Sequence, residues 1–119
     1  MNKVLIVDDD EFQVVSLVDI FNNKGFEAEG VNSGVEALKK VEEIDYACVI
    51  SDIRMPEMNG VELCKAARKI RPNIPFVLMT AYSNDELVKE GLREGALLTL
   101  NKPLDINSLI SYILYYIIK

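Results

Sequence analysis

The sequence predicts an α/β domain with a doubly wound parallel sheet, and three observations predict it. Short continuous apolar runs recur along the chain, as strands buried on both faces require. Between them lie stretches whose apolar residues have helical spacing. Capping sequences and glycines mark where those helices start and stop.

Taken in order, Val4-Leu5-Ile6-Val7 is the first strand run. Phe12, Val15, Val18 and Phe21 follow at helical spacing, with Asp10 placed as N-cap and Gly25 just past the end. "FEAEGV", Phe26 to Val31, alternates with charge and predicts an edge strand. Ser33-Gly34-Val35-Glu36 is a capping box that opens a helix through Val35, Leu38 and Val41. Ala47-Cys48-Val49-Ile50 is the next strand, followed by Val61, Cys64 and Ala67 at helical spacing. Phe76-Val77-Leu78-Met79 is the fourth, and Ser83-Asn84-Asp85-Glu86 predicts a second capping box before Leu87, Val88 and Leu92, with Gly95 at the helix end. Ala96-Leu97-Leu98 begins a fifth strand.

The last helix, "DINSLISYILYYIIK", places Ile106, Ile110, Ile113 and Ile117 on one face, with Tyr115 opposite and Tyr112 and Ile118 to its sides. One face suffices to bury it, so the remainder is expected to meet a partner, a dimer mate or a downstream domain. The whole makes five βα units in one domain over residues 1–119, with no linker, internal repeat or low-complexity segment.

Composition narrows the function. A net charge of -6 argues against direct nucleic-acid binding, which needs clustered Lys and Arg. The chain has no histidine, which removes Ser-His-Asp and Cys-His catalysis and His-ligated metals. Cys48 and Cys64 match no metal or disulfide spacing and are expected as reduced core residues. The start carries no basic segment followed by a long apolar stretch, and no run approaches the length that spans a bilayer, so a cytoplasmic protein is expected.

In an open parallel sheet, sites form outside the carboxyl ends of the strands. There the first strand ends in Asp8-Asp9-Asp10, the third in Asp52, the fourth in Thr80, and the fifth runs through Asn101 into Lys102-Pro103. Acids, a hydroxyl and an ammonium therefore share one edge.

These motifs, "VLIVDDD", "VISDIRMPEMNG", "VLMTA" and "NKP", resemble in type, order and placement the CheY-like receiver domains of bacterial two-component response regulators. The resemblance runs over essentially the whole chain. It implies the flavodoxin-like strand order 2-1-3-4-5, which sets Asp8 and Asp9 beside Asp52. Two carboxylates about 4 Å apart at an effective dielectric of about 20 repel by about 4 kcal/mol, so such a cluster needs a cation or a raised pKa.

The resemblance further implies that Asp52 is the phosphoacceptor, forming an aspartyl phosphate. Mg²⁺ would be held by Asp9 and Asp52, by Asp8 through a water, and by the backbone carbonyl of Arg54. Lys102 would bring a charge to the acyl phosphate, Thr80 would donate its hydroxyl, and Lys102-Pro103 would be a cis peptide. The donor would be a histidine kinase or phosphotransfer protein, and the only activity the chain's own phosphorylation and dephosphorylation.

Two departures bear on the switch. Many receivers carry Tyr or Phe three residues before the lysine, where this chain has Thr99. Arg54 and Tyr82 flank the approach of water in the family architecture, and their bulk predicts a shielded phosphate.

Two other readings compete. "VLIVDDDE" also fits the strand-then-acid pattern of haloacid-dehalogenase-like aspartyl phosphatases, although that fold needs a longer chain with a further acidic pair after its lysine. A flavodoxin-like nucleotide or flavin binder would need a Gly-rich phosphate loop after the first strand, where three aspartates stand instead.

Overall fold

The computed structural model describes residues 2–82 and 84–118. Strands β1 (Lys3–Val7), β2 (Glu27–Val31), β3 (Cys48–Asp52), β4 (Phe76–Thr80) and β5 (Leu98–Asn101) alternate with helices α1 (Glu11–Asn23), α2 (Gly34–Glu43), α3 (Gly60–Ile70), α4 (Leu87–Arg93) and α5 (Ile106–Tyr112). A π-helical turn, Ile113–Ile117, continues α5. The sheet is parallel throughout, in the expected order β2-β1-β3-β4-β5.

Side chains alternate across the three inner strands and build a core on each face. Leu5, Val7, Val49, Phe76 and Leu78 face α2, α3 and α4. Val4, Ile6, Cys48, Ile50, Val77 and Met79 face α1 and α5. This double burial is why the central runs read as continuously apolar. Cys48 and Cys64 are both buried and free, as expected.

Several boundaries follow local chemistry. The Asp10 carboxylate accepts the backbone N–H groups of Phe12 and Gln13 and so caps α1. Ser33 Oγ caps α2 through Glu36 N–H, but Glu36 reaches back to Asn32 N–H, one residue before the predicted partner. Gly25 and Gly95 follow helix ends with φ of 94° and 104°, a region costly for other residues.

Other expectations are corrected. The buried stripe of α1 is Val14, Leu17 and Phe21, while Phe12 and Val15 are exposed. Val35 and Leu92 also face outward. The box at residues 83–86 does not open α4: that helix begins at Leu87, and Glu86 in the N-cap place makes no side-chain cap bond. Ser83 itself lies outside the described residues. The fifth strand begins at Leu98, because Ala96 packs into the core while Leu97 faces out, and as an edge it is only half-buried.

In the last helix, Ile110 and Ile113 are buried and Ile106 and Ile117 packed against the core, as the spacing predicts. Ile118 also packs there, which takes it out of the free surface expected for it. Leu114, Tyr115 and Tyr116 remain exposed, while Tyr112 is half-buried and its ring lies 4.9 Å from that of Tyr116.

Candidate functional site

Strand register delivers the site. Val7 pairs with Ser51, so Asp8 and Asp52, each one residue on, leave adjacent strands at the same level. Asp52 pairs with Met79, which puts Thr80 one step beyond. Thr80 pairs with Asn101, and Lys102 follows. Four residues far apart in sequence thus meet because in a parallel sheet the strands all end on the same side.

The loop leaving β3 is pinned to the start of α3. Gly60 N–H donates to the Ile53 carbonyl at 2.8 Å, and Ile53 N–H to that of Met79 at 2.8 Å. A Cβ on Gly60 would run into the Asp52 carbonyl oxygen, so only glycine permits this approach. Asn59 and Glu62 close a full capping box over the same helix end. The turn signal after Asp52 therefore serves to hold the end of β3 in place.

The carboxylates of Asp8, Asp9 and Asp52 each offer an oxygen within 4.8 Å of the others. Asp8 and Asp52 are buried and Asp9 is exposed. Lys102 Nζ donates to Asp8 Oδ2 at 2.9 Å and lies 3.4 Å from Asp52 Oδ1. Burial pushes the Asp52 carboxyl up to about 6; Lys102 opposes the rise, and Asp8 and then Asp9 add to it. Burial lowers the Lys102 ammonium, but Asp8 and Asp52 outweigh that and leave it above the ordinary lysine value. At neutral pH Asp52 is therefore an ionised, poorly hydrated carboxylate beside a fixed positive charge. The three acids form an oxygen donor set suited to a hard divalent cation.

Thr80 is buried, and its Oγ1 accepts Tyr82 N–H at 3.0 Å. The hydroxyl proton has two acceptors in reach, the Tyr82 carbonyl at 3.3 Å and Asp85 Oδ2 at 3.4 Å. Arg54 is drawn to the same carboxylate: its Nε and Nη2 donate to the two oxygens of Asp85 at 2.9 and 2.7 Å. That pair holds Asp85 below the usual carboxylate range. The Tyr82 side chain is exposed, and Thr99 is half-buried opposite Leu78 on β4. The Lys102-Pro103 peptide is cis.

Sequence reasoning brought Asp8, Asp9, Asp52, Thr80 and Lys102 to this edge; the structure gathers the three acids with Lys102 and sets Thr80 on the same edge, its hydroxyl toward Tyr82 and Asp85. It missed Asp85, which reads locally as part of a cap. Its partner Arg54 lies 31 residues away, and no short-range pattern signals the pair.

Comparison with known proteins agrees with this geometry. Residues 4–114 match the response regulator receiver domain. The chain is 41% identical over 106 residues to the transcriptional regulatory protein ZraR of Klebsiella oxytoca, covering 89% of this chain and 24% of that protein. It thus spans about a quarter of the length of this curated relative. Among solved structures, a CheY-like receiver domain protein from Methanospirillum hungatei superposes with a TM-score of 0.90 at 32% identity, over 95% of this chain and 90% of that one. The response regulator TrrA of Thermotoga maritima, solved in complex with Mg(2+)-BeF, gives 0.85 at 29% identity over 95% and 96%. With an acid cluster, a hydroxyl and a lysine at the strand ends of a β2-β1-β3-β4-β5 sheet, the chain belongs to the response regulator receiver domain family, the phosphoacceptor signalling modules of two-component systems.

Proposed function

We propose that Asp52 is the phosphoacceptor and that residues 1–119 form one receiver domain in the cytoplasm, phosphorylated by a histidine kinase or phosphotransfer protein. The carrying observation is Lys102 Nζ, which reaches both Asp8 and Asp52 within a cluster of three carboxylates. A carboxylate oxygen of Asp52 attacks phosphorus as the donor's bond to phosphorus breaks, and the leaving group departs with the electron pair. Lys102 offsets charge on the acyl phosphate, and the Thr80 hydroxyl turns to a phosphoryl oxygen. These groups position and neutralise, which is most of what phosphoryl transfer requires.

Asp8, Asp9, Asp52 and the Arg54 carbonyl would hold Mg²⁺, which when bound supplies further positive charge at the phosphoryl oxygens. No other turnover is assigned to the chain, and the three aspartates after β1 stand where a nucleotide or flavin binder would need a phosphate loop. The described residues contain no helix long and apolar enough to cross a membrane. The exposed Tyr115, with Tyr116 and half-buried Tyr112, is the surface we assign to an effector domain or dimer partner.

The test is intact-mass measurement after incubation with acetyl phosphate and Mg²⁺. The wild-type protein gains one phosphoryl group, and Asp52→Asn, which keeps the shape but loses the anionic oxygen, gains none. Normal uptake by the variant would overturn the assignment.

A further inference from the structure

Three carboxylates are buried among the described residues, Asp8, Asp52 and Asp85. The acceptor cluster accounts for two. Asp85 lies outside it, with its side chain 1% exposed, and a buried carboxylate must be paired to be tolerated. Both its oxygens are engaged. Oδ2 accepts Arg54 Nε–H and lies in reach of the Thr80 hydroxyl, while Oδ1 accepts Arg54 Nη2–H and, at 3.0 Å, Leu87 N–H. The Asp85 carbonyl also accepts Val88 N–H at 3.1 Å.

Each of these partners has a place in the site or beside it. Arg54 is two residues past Asp52, and Thr80 follows the residue that pairs with Asp52. Leu87 and Val88 are the first turn of α4, for which the described residues give no other side-chain cap. One carboxylate thus ties the surroundings of the acceptor to the start of a helix.

We infer that Asp85 is a positioning residue that holds Arg54 and Thr80 off the acceptor until a phosphoryl group takes them, and that its release frees the first turn of α4. The inference rests on Asp52 being the phosphoacceptor. A phosphoryl group on Asp52 carries more charge than one carboxylate and has three acceptor oxygens, and a guanidinium fork fits either partner. The exchange therefore runs from Asp85 toward the phosphoryl group. Left buried without its donors, Asp85 turns out toward water and gives up the Leu87 N–H. This supplies an output at α4 in a chain whose position 99 is threonine and has no aromatic ring to rotate.

Beryllium trifluoride with Mg²⁺, a stand-in for the phosphoryl group, tests the inference by titration into the wild-type protein and four variants. Asp85→Asn removes the competing anion, and its affinity rises about five- to tenfold. Glu86→Gln removes a neighbouring charge without touching these bonds and stays within about twofold. Amide exchange supplies the second readout: Leu87 and Val88 exchange faster in the wild type once the fluoride is added. In Asp85→Asn, whose amide oxygen still accepts the Leu87 N–H but no longer pairs with Arg54, they do not change when the fluoride is added. Arg54→Gln breaks the same pair from the other side, so it carries the test if Asp85→Asn does not fold; its Leu87 and Val88 amides are fast without any gain in affinity. An Asp85→Asn affinity that rises no more than that of Glu86→Gln, or unchanged α4 amides in Arg54→Gln, overturns the proposal. Asp52→Asn separates the two levels. If it binds the fluoride like the wild type, the acceptor assignment falls and the proposal with it; if it fails to bind while Asp85→Asn behaves like the wild type, the proposal alone falls.

Discussion

The two sides of the sheet are built differently. Strands β3 and β4 are buried along their whole length, as is β1 from Val4 onward, and α3 starts with a full capping box on a loop pinned by Gly60. On the other side β5 is half-buried, α4 has seven residues and no side-chain cap bond from Glu86, and the last helix relaxes into a π turn whose Leu114, Tyr115 and Tyr116 face out. The acids belong to the first region. Thr80, at the end of β4, and Lys102, just past β5, stand where it meets the second. A site placed across that line can hold its acids on stiff backbone while its hydroxyl and ammonium stand beside the part of the fold with least to lose by moving.

The largest effect that sharpens this contrast is a truncation in each region. Phe76→Ala, at a fully buried position, is expected to cost about 3–5 kcal/mol in urea unfolding, and Leu100→Ala, half-buried on the edge, about 1–2. Equal costs would erase the distinction.

Glycines give the next test. Gly60→Ala forces a Cβ against the Asp52 carbonyl and should cost about 3 kcal/mol, along with loss of phosphoryl uptake. Gly91→Ala presses a Cβ on the side-chain end of buried Leu78 rather than on backbone, and the helix gains propensity, so it should cost about 1–2 kcal/mol, less than Gly60→Ala, by the same measurement.

Mg²⁺ at about a hundred times its Kd should add about 2.7 kcal/mol to stability, read from the thermal midpoint. Asp9→Ala should remove most of that gain while raising the metal-free midpoint, because one of three mutually repelling acids is gone. An Asp9→Ala protein that is less stable without metal and responds fully to Mg²⁺ would place the cation elsewhere. Smallest are the caps: Asn59→Ala should lower stability by about 1 kcal/mol, and Glu86→Ala by less than about 0.5.

The first region was the more legible in the sequence. Strands buried on two faces admit little but apolar residues, so their runs stood out, and Asp8, Asp52 and Thr80 could be placed as the polar residues that end them. Helix α1 was harder, because Val14 and Leu17 make a stripe as regular as Phe12 and Val15. Nothing local decides which one meets the sheet. The start of β5 was blurred by an apolar run longer than the strand, and the start of α4 by serine, asparagine and aspartate that look like a cap. Asp85 was illegible for a different reason: its meaning comes from Arg54, across the sheet edge, and a lone acid in a loop carries no mark of a distant partner.

The strand order also makes the charge balance of the site depend on an edge. β1 and β3 are neighbours, so the acids of Asp8, Asp9 and Asp52 gather where those two strands pair. Lys102, the cation that offsets them, follows β5, an edge strand held by β4 alone. Where that edge is loosened, the acids lose their fixed counter-charge and repel one another. Added salt should therefore stabilise Leu100→Ala more than the wild-type domain, since screening replaces part of what the edge strand brings.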